Sequence, residues 1–188
     1  MPKKTKQLLA KSVIKADEIP MPFGGRVLLA LYWHAWKIFG PGHNWSTYKG
    51  TVKALNTPMK VQSWLWANVK YTKDTKEADE WQSAKRTWER RRADCEDYAI
   101  FACECLKKHY DCLYLCMYYK DSGHTTLLIE NGKEGKKKKW KSVGTYGYKN
   151  HKGIDYGDII PDWSPEYRKW DRYRVKDEEC KTIIKKDK

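Results

Sequence analysis

Apolar residues recur at close to helical spacing in three stretches of the chain and alternate with other residues in a fourth. Val27, Leu28, Leu31, Trp33, Ala35, Ile38 and Phe39 mark a helix that Gly40-Pro41-Gly42 ends, because neither proline nor glycine continues a helix well. Val61, Trp64, Leu65 and Val69 mark a second, over Pro58 to Val69. Asn56-Thr57 supplies its cap and Pro58 stands in its first turn. Ala99, Ala102, Cys103 and Leu106 share one face of a third, running from Cys95 to Lys108. Its small residues permit close approach to a sheet. Leu113, Leu115 and Met117 then alternate with Tyr114, Cys116 and Tyr118, the period of a strand over 113–119. Asp121-Ser122-Gly123 turns the chain into a strand from His124 to Glu130. Asn131-Gly132 is a hairpin signal, and Trp140 to Val143 completes a three-stranded antiparallel meander.

The remaining segments carry less pattern. Residues 1–20 are polar with five lysines, and 70–80 form a charged connector. Residues 144–174 are rich in Gly, Tyr and Trp without a period, and 176–188 read as a charged, frayed tail. The expected fold class is α+β, with a helix packed on a small antiparallel sheet. The expected organisation is an N-terminal helical extension over 1–44, one main domain over 45–160, and a C-terminal wrap and charged tail over 161–188.

Composition narrows the class of partner. The chain has 188 residues, long enough for a substantial core, and carries ten Trp and thirteen Tyr against three Phe. Most of these rings are expected to pack, each as an apolar body with a polar tip. Formal net charge is +14, which attracts anionic partners such as nucleic acid or acidic surfaces. Residues 132–153 hold eight Lys against one Glu, with Lys136, Lys137, Lys138 and Lys139 consecutive. Read as a solvated hairpin tip, this run offers weak, non-specific contact to nucleic acid or another acidic surface.

The apolar stretch 27–39 carries His34 and Lys37 and falls short of the roughly 20 residues a membrane span needs. No apolar region follows the basic start, so a cytoplasmic protein with reduced thiols is expected. The spacing of Cys103, Cys105, Cys112 and Cys116 matches no usual pair of zinc knuckles, and neither a metal nor another cofactor is expected.

Two segments carry the candidate chemistry. Asp94-Cys95-Glu96-Asp97-Tyr98-Ala99 puts a cysteine at the start of a helix, and Gly123-His124-Thr125-Thr126-Leu127-Leu128 puts a histidine at the start of a strand. A thiol becomes a good nucleophile when its surroundings favour thiolate and a base can hold its proton. A helix N-terminus and an imidazole meet those needs, although Glu96 and Asp97 oppose the thiolate. Asp94 sits at the N-cap position.

The order of these segments resembles the transglutaminase-like cysteine peptidase superfamily, in particular its bacterial transglutaminase-like cysteine proteinases. The likeness rests on the helix after Asn56-Thr57-Pro58, the Trp-containing stretch Glu80-Trp81-Gln82-Ser83-Ala84, Asp94-Cys95-Glu96-Asp97-Tyr98-Ala99 and Gly123-His124-Thr125-Thr126. It covers about residues 55–145 and departs at Ala93, where the family usually has glycine.

The resemblance implies a papain-like or transglutaminase-like fold and a thiol-dependent hydrolase or acyltransferase acting on amide bonds of a protein or peptide, as a peptidase or deamidase. It implies Cys95 as nucleophile and His124 as base. The family's orienting Asp or Asn lies on the strand after the histidine. Here that strand, around Trp140 to Gly144, has no carboxylate. Ser142 or Gly144 stands in its place, with Asn150 or Asp155, reaching in from the following loop, as the alternative orienting groups. Trp81 and Gln82 are the side chains that the wider superfamily would use to assist the backbone N–H of Cys95 at an oxyanion. Two other readings stand beside this one: a degenerate fold that binds a protein partner through the old cleft, and a basic nucleic-acid-binding protein.

Overall fold

The computed structural model describes residues 46–73, 81–120, 122–134, 137–145, 147–151, 156–159 and 170–187, with backbone alone for 132–134, 137, 138 and 158. The apolar helix read at Val27 to Phe39 therefore lies outside the described residues. Helix α1 (Tyr48–Ala54) starts at Thr47, whose hydroxyl accepts from the Gly50 N–H at 3.1 Å. Helix α2 (Pro58–Asn68) starts at Thr57 in the same way, with Pro58 in the first turn as its sequence foretells. Helix α3 (Ala84–Arg90) is capped by Ser83 and ends where Arg91 turns left-handed, at φ 57. That conformation costs a side chain about 1 kcal/mol. Aromatic contacts help to offset it: the Arg91 guanidinium lies 4.7 Å from the Trp64 ring centroid and 4.9 Å from that of Trp88.

Strands β1 (Lys70–Tyr71) and β2 (Arg92–Ala93) pair in parallel, so part of the charged connector is tied down beside the start of the next helix. Helix α4 (Cys95–Leu106) is the hub. Ten of its twelve residues are buried, including the polar Glu96 and Asp97. Phe101 stacks on Trp64 of α2 at 4.5 Å, and the Tyr98 hydroxyl donates to the Val69 carbonyl at 2.6 Å.

Helix α4 packs on a six-stranded antiparallel sheet of order β6-β5-β4-β3-β7-β8. The strands are β3 (Cys112–Tyr119), β4 (Ser122–Glu134), β5 (Lys137–Gly144), β6 (Gly147–His151), β7 (Arg172–Lys176) and β8 (Thr182–Asp187). A short helix α5 (Tyr156–Ile159) lies between β6 and β7 in sequence. Tyr114, Cys116, Leu127, Ile129, Val143 and Tyr148 face the helices. Leu115, Met117, Leu128, Trp140, Tyr173 and Val175 build a second apolar cluster with Ile159 and Trp170. The sheet is thus apolar on both faces.

The meander is present, but three details differ from the sequence reading. Ser122 and Gly123 do not belong to the β3–β4 turn, because they already pair with Tyr119 and Tyr118. Asn131-Gly132 does not turn the chain. Strand β4 runs on to Glu134, and the ladder shifts register between Glu130 and Lys133, so the pair is absorbed as a bulge. Lys137 to Lys139 consequently belong to β5, with Lys137 opposite Glu134 and Lys138 opposite Lys133, while Lys136 lies outside the described residues.

The C-terminal residues also differ, since β7 and β8 form a hairpin where a frayed tail was expected. Its outer strand keeps Lys185 and Lys186 at the exposed edge, charges that discourage pairing with other chains. Alternation there is masked by charge: Ile183 is exposed and Ile184 half-buried, so the two isoleucines point to opposite faces. No helix among the described residues is long and apolar enough to cross a membrane.

Candidate active site

Asp94 caps α4 through a reciprocal pair of bonds, its carboxylate accepting from the Asp97 N–H and the Asp97 carboxylate from the Asp94 N–H, both at 3.4 Å. Gln82 reinforces the box. Its backbone N–H donates to Asp97 at 2.9 Å, its side-chain amide donates to the same carboxylate, and that amide also donates to the Arg92 carbonyl at 2.9 Å. Burial still dominates, and the Asp97 carboxyl is pushed up to about 6. The amide of Gln82 is thus engaged in holding the helix start. Trp81 lies edge-on to Tyr114, at 6.0 Å between centroids, with the Lys176 ammonium 4.2 Å from its ring.

Cys95 is the first residue of α4, and its side chain is buried. Its thiol donates to the Glu96 carboxylate at 3.0 Å, and the Thr125 backbone N–H donates to its sulphur. Burial, then the negative charge of Glu96, hold the thiol well above the usual range. The Thr125 N–H pulls the other way. A helix dipole is worth about 0.3–1 kcal/mol, less than one pKa unit at ~1.4 kcal/mol, so it does not outweigh two such terms. The resting group is a thiol.

His124 is buried on β4, immediately before the residue whose N–H reaches Cys95. It pairs across the ladder with Met117, while Thr125 pairs with Cys116. Directly opposed residues share a face, and Met117 belongs to the cluster away from α4 whereas Cys116 belongs to the cluster against it. Strand alternation therefore turns Thr125 toward the helix. The His124 side chain shares the other face of the strand with Met117. Thr125 also places its hydroxyl on Cys116, a thiol that burial pushes up.

The candidates for an orienting group are dispersed. Ser142 is buried opposite Leu128, four residues and thus about 13 Å along β4 from His124. Its hydroxyl bonds instead to Nε2 of the buried His151 at 2.8 Å. Both backbone groups of Gly144 are taken by Gln62, whose amide donates to its carbonyl at 2.9 Å and accepts from its N–H at 3.1 Å. That bidentate clasp ties α2 to the end of β5, where a Cβ on Gly144 would stand 2.9 Å from the Thr126 hydroxyl. Asn150 is exposed, and Asp155 lies outside the described residues.

Sequence reasoning missed Glu96 as a direct partner of the thiol, Thr125 as its backbone donor and the Ser142–His151 pair. The first two adjoin the named motif residues and were open to inspection. The third depends on the β5–β6 register, in which Trp140 lies opposite His151. Among the described residues no group of three or more His, Cys, Asp or Glu side chains is arranged to hold a metal ion. No protein-family model matches the chain, and no curated protein matches it.

Proposed function

We propose that the chain is a thiol-dependent hydrolase or acyltransferase acting on amide bonds of a protein or peptide, with Cys95 as nucleophile and His124 as base. The observation that carries the proposal is the junction of α4 and β4. A cysteine at the first position of a buried helix meets, through the Thr125 N–H, the residue next to the histidine. In the reaction the imidazole takes the thiol proton and the sulphur attacks the amide carbonyl. The backbone N–H of Cys95, at a helix terminus that leaves its first N–H groups without intrahelical acceptors, steadies the developing oxyanion. The protonated imidazole then returns its proton to the leaving amine. The resulting thioacyl enzyme is resolved by water or by an amine. This is the chemistry that the resemblance to transglutaminase-like cysteine peptidases implies.

Glu96 favours a second reading, a degenerate site on the same fold that binds a protein partner. A buried thiol that donates to a carboxylate is held in its unreactive form.

Alkylation of Cys95 by iodoacetamide, followed from about pH 4 to about pH 10 in this protein and in His124→Ala, separates the two. For an assembled pair, reactivity rises below the free-thiol value of about 8.5, and the substitution moves that rise upward. If both proteins titrate together at or above the free-thiol value, the imidazole does not serve the thiol and the binding reading stands.

A further inference from the structure

Helix α3 and the β1–β2 pair adjoin in one basic surface. The Lys70 N–H donates to the Arg91 carbonyl at 2.8 Å and the Thr72 N–H to the Ala93 carbonyl at 2.9 Å, which clasps β1 to the chain leaving α3. Lys70 and Arg92 are directly opposed in that pair, and both are exposed. On α3, Arg86 and Arg90 are exposed one turn apart on one stripe of the helix. On the next stripe Lys85 is answered by Glu89 at 3.6 Å. Among the described residues, Lys70, Arg86, Arg90 and Arg92 take part in no ion pair. The connector 74–80 is acidic and lies outside the described residues. With it counted, residues 70–92 still hold eight Lys and Arg against five Asp and Glu.

Aromatic rings complete the surface. Tyr71, next to Lys70, is 48% exposed, with its ring at 6.5 Å from that of the buried Tyr98 in an edge contact. The Arg91 guanidinium lies against the Trp64 and Trp88 rings, which fixes the turn that presents Arg90 and Arg92.

We propose that this surface binds single-stranded nucleic acid, with Lys70, Arg86, Arg90 and Arg92 on its phosphates and Tyr71 stacked on a base. Lys70 beside Arg92, and Arg86 one turn from Arg90, are like charges that repel each other. A polyanion relieves that repulsion and gains by releasing its own counterions. Three of the four cations are guanidinium groups, planar forks that match phosphate oxygens two at a time. A half-exposed ring beside them offers a stacking surface for an unpaired base, which neither a duplex nor an acidic peptide presents.

This inference does not depend on the function proposed for Cys95. Its test is the fluorescence anisotropy of a labelled oligothymidylate titrated with the full chain, between about 50 and about 200 mM salt. Four phosphate contacts at ~0.7 each predict a slope of log affinity on log salt of about −3. The double variant Arg86→Gln/Arg90→Gln should halve that slope with its denaturation midpoint unchanged, because both side chains are exposed. Tyr71→Ala should weaken binding about tenfold at every salt concentration and leave the slope as it was. A slope near zero overturns the proposal. So does a slope that the double variant leaves intact and that vanishes when Lys136 to Lys139 are replaced by Gln, which would assign binding to the β4–β5 lysines. Polyglutamate that competes as well as the oligonucleotide, with Tyr71→Ala binding like the unaltered protein, would replace nucleic acid by an acidic protein.

Discussion

Cys95 and Cys103 stand on one face of one helix, two turns apart, and their surroundings drive them in opposite directions. Cys95 occupies the position where the helix dipole favours thiolate, yet it meets a carboxylate to which it donates, and burial and charge push it up. Cys103 is far from that terminus, yet the Cys112 thiol, the Tyr114 phenol and the Lys107 ammonium favour its charged form, and it is pushed down. The contrast teaches that for a buried thiol the number and sign of its immediate partners outweigh its place on the helix. It also locates what a catalytic Cys95 must overcome, since its proton has to leave Glu96 for the imidazole.

The comparison can be broken most severely by removing the scaffold that both sites share. Phe101→Ala, on the same helix between them, takes a fully buried ring off Trp64 and is expected to cost about 3–5 kcal/mol, read as a fall in the denaturation midpoint. Both thiols should then react at the free-thiol rate at lower denaturant.

Glu96→Gln sharpens the contrast at one end alone. It removes the charge while keeping the shape, so the Cys95 thiol falls by at least about one pKa unit. Alkylation near neutral pH then quickens on the order of tenfold. An unchanged rate would show that desolvation alone governs Cys95.

At the other end, Tyr114→Phe removes one donor worth about 0.5–1.5 kcal/mol. The Cys103 alkylation profile should move upward by roughly a unit or less, with that of Cys95 unchanged.

The smallest effect concerns the capping box. Asp97 is raised in the folded chain from 3.8 to about 6, so between those values the folded state binds more protons than the unfolded one. Stability should therefore fall as pH rises through that window. Asp97→Asn, which keeps an acceptor, should flatten the melting temperature across it. A slope that persists in this variant would assign the effect to another carboxylate.

Much of the frame was legible because local chemistry agreed with the final packing. Thr57-Pro58 and Asp94 start their helices where capping rules put them, and the alternation from Leu113 to Tyr118 is a strand. Asn131-Gly132 misled because a hairpin signal can also serve as a bulge, and only pairing with β5 decides which. The tail misled because the lysines that protect an edge strand also look like disorder, and a strand half exposed to water has no clean period.

The sequence by itself determined the α+β class, the cysteine at a capped helix start and a histidine near the start of the second strand after that helix. These depend on residues close together along the chain, where propensity and capping act. The tertiary structure decided what each group touches. Strand register gave Thr125, rather than His124, the face toward α4, gave Ser142 to His151, and enlarged the meander to six strands. Helix–sheet packing set Cys112 and Tyr114 against Cys103. Such contacts join residues from separate elements, and a shift of one residue in any ladder would exchange them.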